Sequence, residues 1–212
     1  MRNPFILIIA VVFLAISCSK SPTKPLESTD LLSDNSAPDQ AMPSKVSDVS
    51  LPLDRALERI TKKPFGLFVE PANSPVDPEK FKGFHNATDF EIFDNEIDAN
   101  VTVSAICDGK LLQKRTVNGY GGLAIQSCTI NNESVTVLYG HLKLSSVIVE
   151  SGTELQRGQA IGSLGSAYST ETSGERKHLH LGIHKGTGID IRGYVQKSSE
   201  LSAWLNFEDL VK

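Results

Sequence analysis

Apolar residues are distributed along this chain in three regimes. Behind Arg2, residues 5–16 form an unbroken apolar run. Its length suits the core of an export signal and falls short of the ~20 residues that a membrane-spanning helix requires. From residue 19 to about residue 50 the chain is rich in Ser, Pro, Asp and Lys and poor in large apolar side chains. Such a stretch cannot bury enough surface to offset its conformational entropy, so it is expected to be a disordered tether. Behind Pro52, apolar residues at helical spacing (Leu53, Ala56, Leu57, Ile60) predict a short helix.

After Pro64 the period shortens to that of strands. Runs rich in β-branched and other apolar residues occur at 65–69, 101–107, 110–117, 123–128, 135–142, 147–149, 160–164 and 178–184. They are divided by turn signals such as Asp108-Gly109, Asn118-Gly119, Asn131-Asn132 and Ser151-Gly152. A spacing of about 8–14 residues between strands predicts an all-β fold, an antiparallel sandwich or barrel rather than a βαβ array. Few helices are expected beyond residue 64.

Composition narrows the picture without changing it. The chain has 212 residues, 40% hydrophobic and 22% charged, with a formal net charge of −4, values of a soluble globular domain. A slightly acidic chain lacks the basic face that nucleic-acid binding needs, so no nucleic-acid partner is expected. The organisation read from these patterns is a signal peptide over 1–17, a linker over 18–50 and one folded domain over 51–212. The junction Ala15-Ile16-Ser17-Cys18 resembles a bacterial lipobox, which implies a lipid on Cys18, anchorage to a membrane and residence in the cell envelope. Cys107 and Cys128 remain as an even pair for an oxidising compartment. A strand over 110–117 lying between them would hold their Cα atoms too far apart, so the pairing stays open at this point.

The candidate chemistry lies in the histidines. Gly119-Tyr120-Gly121-Gly122-Leu123-Ala124 satisfies a dinucleotide-loop pattern, but a strand and not a helix follows it, so the glycines are read as turn residues. There is no H-E-x-x-H, G-x-S-x-G or phosphate-loop motif. Of five histidines, His178 and His180 alternate on one strand and therefore project from one face. His85 and Asp89 stand four residues apart, a spacing that can close on one metal ion, and His141 follows a predicted strand. His184 shares the face of His180 but lies ~13 Å along the strand, which assigns it a peripheral role.

In that order, His85-x-x-x-Asp89, Tyr139-Gly140-His141-Leu142 and His178-x-His180 resemble the motifs of the lysostaphin-type (LytM-like) zinc metallopeptidases, which cut peptide bonds in bacterial peptidoglycan. Val103–Gly109, Gly119-Tyr120-Gly121 and residues 151–162 are also similar to segments of that family. The resemblance implies the family's antiparallel, duplicated-hybrid-motif fold, with His85, Asp89 and His180 as ligands of Zn²⁺. It implies His141 and His178 as the catalytic pair and a peptidoglycan peptide as substrate. Three ligands leave a tetrahedral zinc with one open position, as a catalytic site requires. The sequence departs from the family pattern at Ala87, where Gly is frequent, and at Leu181-Gly182, which stand for an aromatic and an acidic residue. The connection 163–177 is longer and more charged than usual, and its Glu171, Glu175, Arg176 and Lys177 are expected to form one wall of a groove. The competing expectations are a non-catalytic wall-binding activator of the same fold and a phosphocarrier on a related motif, to which an export signal is poorly suited.

Overall fold

The computed structural model describes residues 48–212. The expected signal, Cys18 and the tether up to residue 47 lie outside them. Val49 is already buried in the core, and Ser50 donates from Oγ to Ala105 O at 3.0 Å and from its N–H to Ile106 O at 2.8 Å. The end of the stretch read as linker therefore belongs to the folded part. No helix among the described residues is long and apolar enough to cross a membrane.

The fold is all-β. Its strands are β1 (Phe68–Val69), β2 (Gly83–His85), β3 (Ala87–Glu91), β4 (Thr102–Ser104), β5 (Gly109–Val117), β6 (Gly121–Ile130), β7 (Glu133–Gly140), β8 (Glu154–Leu155), β9 (Ala160–Ser163), β10 (His178–Lys185) and β11 (Tyr194–Val195). They form a six-stranded sheet in the order β3-β10-β7-β6-β5-β8, a three-stranded sheet β1-β2-β11 and the pair β4-β9. Every pairing is antiparallel. The helix expected over 53–60 is a single 3₁₀ turn, Ala56–Arg59. Arg59 anchors it: the buried guanidinium donates to Asp54 O at 2.6 Å and to Glu96 at 2.6 and 2.9 Å.

The two faces of the large sheet are buried for different reasons. Leu179, Leu181 and Ile183 of β10 join Phe90, Val137, Tyr139 and Ala124 in the main core. On the other face Tyr120, Leu123, Ile125 and Leu138 form a smaller cluster. Registers align Asp89, His180, Gly140 and Leu123 across four neighbouring strands, and antiparallel partners share a face. The imidazole row thus runs into an apolar floor. Gly140 makes the join possible, because a Cβ there would lie 2.7 Å from the Tyr120 ring.

The strand runs at 110–117, 123–128, 135–142 and 178–184 appear close to where alternation placed them. The run at 147–149 does not: Val147 N–H bonds back to Leu144 O at 3.0 Å and Ile148 N–H to Ser146 O at 3.1 Å, a local turn that leaves Ile148 exposed. Strands β2 and β3 escape the pattern because they are short and β3 is buried at every position, which erases the alternation that marks a half-buried strand. Cys107 and Cys128 are bridged, with Cα atoms 6.0 Å apart. Cys107 precedes β5 and Cys128 lies opposite Gly109, so β5 does not separate them.

Candidate metal centre

His85 and Asp89 reach the same point from different sheets. His85 ends β2, Ala87 begins β3, and the single residue between them changes sheet. Asn86 holds that switch: its N–H bonds Gly193 O at 3.3 Å and its Nδ2 bonds Arg192 O at 2.9 Å. His180 stands opposite Asp89 in the β3–β10 register. The outcome is a compact triangle. His85 Nε2 lies 3.3 Å from Asp89 Oδ1, His180 Nδ1 lies 3.0 Å from the same oxygen, and the two nitrogens are 3.3 Å apart.

These atoms fit a zinc ion. Ligand bonds of about 2.0–2.1 Å at tetrahedral angles place ligand atoms ~3.3 Å from one another, which is the spacing of this triangle. The hydrogen bond behind the His85 ring points the same way. His85 Nδ1 faces Pro64 O at 3.3 Å; a carbonyl only accepts, so the neutral ring carries its proton on Nδ1 and turns the Nε2 lone pair toward Asp89. A lone pair aimed at a carboxylate oxygen is repulsive until a cation stands between them. All three side chains are buried, where that repulsion is least screened.

Electrostatics follow from burial. Burial alone would raise the Asp89 carboxyl, but the charges of His178 and His85 and hydrogen bonds from His178 and His180 outweigh it and hold the group well below the usual carboxylate range. Burial lowers His180 to about 4 against the pull of Asp89. Burial, with the neighbouring charges of His178 and His180, also pushes His141 well below the ordinary imidazole value. At neutral pH the centre holds one carboxylate with neutral His141 and His180.

His141 and His178 border the triangle, with ring centroids 4.3 Å apart. His178 Nδ1 donates to Arg176 O at 2.9 Å, and its Nε2 lies 3.3 Å from Asp89 Oδ2. His141 leaves β7 with φ 62°, and its buried Nδ1 has no hydrogen-bond partner. The centre opens into a groove of about 370 Å³ lined by Asp89, His141, His178 and His180, by Tyr120 and Val117 of the β5–β6 hairpin, and by Lys63, Phe81, Arg176 and Ile191–Tyr194. All five residues singled out from the sequence therefore meet in one place. His184 does not; its ring packs 4.8 Å from Trp204, outside the groove.

The charged connection is arranged differently from the expected wall. Glu175 lines the groove and pairs with Lys80 at 2.7 Å. Arg176 turns inward to Asp89 Oδ2 at 2.8 Å and to Glu91. Lys177 turns away, and its buried ammonium donates to the carbonyls of Glu96, Ile97 and Ala99 at 2.9, 3.0 and 2.6 Å. Glu171 is not at the groove and accepts from Ser166 N–H at 2.9 Å. Charge alone marks a solvated face in a sequence, so this burial left no local signal.

Two groove residues were not singled out as site residues from the sequence. Tyr120 sits in the glycine turn, its ring 5.2 Å from His180 and its hydroxyl donating to Ile191 O at 2.8 Å. Tyr194 lies opposite His85 in the β2–β11 register, ring to ring 5.2 Å. Its hydroxyl oxygen accepts from Lys63 Nζ at 3.0 Å, and Lys63 is itself paired with Glu79 at 2.5 Å in a buried position. Burial, with the charges of Asp89 and Glu79, raises the Tyr194 phenol and keeps it protonated. A strand of two residues has no periodicity to announce it.

A family model described as Peptidase family M23 matches residues 83–192, a span that contains the triangle and both bordering imidazoles. The chain is similar in fold to the catalytic domain of the antimicrobial peptidase lysostaphin from Staphylococcus simulans. That likeness has a TM-score of 0.50 at 19% identity and covers 74% of this chain and 97% of that one. A structure of LytU gives a TM-score of 0.48 at 17% identity, covering 82% of this chain and 91% of that chain. Among curated proteins, none matches at a significant level.

Proposed function

The chain belongs to peptidase family M23, and from that premise we propose that it is an exported zinc endopeptidase acting on the peptide cross-links of bacterial cell-wall peptidoglycan. The observation that carries the reading is the triangle of His85 Nε2, Asp89 Oδ1 and His180 Nδ1, set at the back of a groove and bordered by two further imidazoles. A zinc ion held by these three residues supplies a Lewis acid that polarises a carbonyl and lowers the pKa of a water toward ~7.

The remaining work falls to side chains of the groove. His178, with Nδ1–H committed to Arg176 O, is assigned as the base: in its neutral form Nε2 would take a proton from the attacking water and return it to the leaving amine. His141 and Tyr194 provide donors for the oxygen on which negative charge develops. The Tyr194 oxygen is already occupied by Lys63, so its own O–H is available to donate. Tyr120 and Ile191 give the groove an apolar side, which limits water around the scissile bond.

Residues 1–17 serve in this reading as an export signal, Cys18 as a lipid anchor and the stretch from there to residue 47 as a tether. A disulfide between Cys107 and Cys128 is in keeping with an oxidising compartment outside the cytoplasm. The test is zinc stoichiometry together with release of peptides from purified peptidoglycan, by the chain without its first 17 residues, with and without a chelator. One zinc per chain and chelator-sensitive release are expected. Absence of both would favour a non-catalytic, wall-binding activator.

A further inference from the structure

Asp89 has a second oxygen that the triangle does not use. Oδ2 lies 2.8 Å from Arg176 Nη2 and 3.3 Å from His178 Nε2. The Arg176 side chain is 12% exposed, and its guanidinium also grips Glu91, through Nε at 2.9 and 3.0 Å and Nη2 at 2.5 Å. Glu91 follows Asp89 by two residues on β3 and stands opposite His178, so both carboxylates share a face with the histidines. The main-chain carbonyl of Arg176 accepts the His178 Nδ1 proton. One residue therefore fastens both a carboxylate of the triangle and an imidazole beside it.

A carboxylate beside a divalent ion can bind through one oxygen or chelate through two, and chelation consumes coordination space. Here the second oxygen is engaged in a charge-assisted bond within a nearly closed environment. Swinging it toward a metal would give up its charge-assisted hydrogen bond to the guanidinium. Glu91 offsets the guanidinium charge, so Asp89 keeps its own charge for a cation. Only a planar fork can hold Glu91 from two nitrogens and still reach Asp89; an ammonium on a flexible stem cannot fix both at once.

We propose that Arg176 is a positioning residue that confines Asp89 to a single oxygen on the metal, and so keeps one coordination position open. The proposal rests on the zinc reading above and goes beyond it. Outer-sphere partners of this kind orient metal ligands, and losing one typically costs about 10–100-fold in metal affinity or activity.

The probe is cobalt(II) in place of zinc, bound to the chain without its first 17 residues. Visible absorption reports coordination number independently of turnover. The wild-type protein is expected to show the intense bands of four-coordinate cobalt. In Arg176→Gln, Asp89 chelates, and the intensity falls severalfold as cobalt becomes five-coordinate. Zinc-loaded Arg176→Gln is expected to lose kcat with KM little changed. Arg176→Lys restores charge without the fork and is expected to recover only part of both. Because Arg176→Gln leaves two buried carboxylates facing each other, the Arg176→Gln/Glu91→Gln pair serves as a second variant, with the same five-coordinate spectrum expected. Four-coordinate spectra in folded, fully loaded variants would overturn the role of Arg176 while leaving the zinc reading intact. A wild-type protein that takes up neither zinc nor cobalt would overturn the zinc reading and this inference with it.

Discussion

His141 shows how much of the chemistry is settled at single residues. Its φ of 62° lies in the left-handed region, where a non-glycine residue costs about 1 kcal/mol or more. The conformation is held from both sides: Gly165 N–H bonds His141 O at 2.8 Å, and Leu142 N–H bonds Gly122 O at 2.9 Å. The bend turns the imidazole out of β7 and brings it beside His178. Position in the triangle separates the histidines into two groups that mutation can tell apart. His180→Ala and Asp89→Ala are expected to lose bound zinc and activity together. His141→Ala is expected to keep one zinc per chain, read by atomic absorption, while hydrolysis falls about 10²–10⁴-fold, the usual contribution of a group that handles a proton or steadies charge. Zinc lost equally from the His141 variant would make it a ligand. Tyr139, its neighbour in the same motif, belongs to the core instead: its hydroxyl donates to Gln126 Oε1 at 2.8 Å and accepts from Ile106 N–H at 2.9 Å.

Among elements, the β5–β6 hairpin ties the rest of the sheet to the site. Gly121 and Gly122 open β6, where a Cβ would lie 2.0 Å from Glu171 O and 1.9 Å from Leu142 O. Only glycine lets the two flanking connections approach this closely. The far end of the hairpin is closed by the Cys107–Cys128 bridge over a separation of 21 residues. A loop of that size restricts the unfolded chain by about 3 kcal/mol in the chain-entropy account. The Cys107→Ala/Cys128→Ala variant is therefore expected to lose about 3 kcal/mol of unfolding free energy, seen as a lower urea midpoint, while retaining zinc and activity at low denaturant. An unchanged midpoint would show that the hairpin is held by packing alone. The alternation in the sequence placed β5, β6, β7 and β10, because a half-buried strand writes its period into a local window. It missed β2, β3, β8 and β11, which are too short or too fully buried to show one.

The molecule as a whole is what completes the centre, since His85 arrives from the three-stranded sheet and Asp89 and His180 from the six-stranded one. A site that exists only in the folded chain couples ligand binding to stability. Zinc at about 100 times its Kd is expected to stabilise the chelated protein by ~2.7 kcal/mol in urea unfolding. Acid should act in the opposite direction on the metal-free protein. Burial lowers His180 from 6.5 to about 4, so below 6.5 the unfolded chain binds a proton that the folded one refuses. Stability is then intact above pH 6.5 and falls as pH drops toward about 4, by about 3 kcal/mol for this one group. His141, also depressed, adds in the same sense, and Asp89 extends the loss below 3.8. A flat urea midpoint between pH 7.5 and 5 would contradict these assignments. By itself the sequence determined the β class, the pairing of His178 with His180 on one face and the residue types that could hold zinc, since these follow from a period of two and from side-chain chemistry. Tertiary structure alone decided that Asp89 stands opposite His180, 91 residues away, that Arg176 turns inward while Lys177 turns out, and that the two cysteines meet. Each of those outcomes depends on which strands become neighbours, and that is set by burying a shared core over long separations, which no local window of the chain encodes.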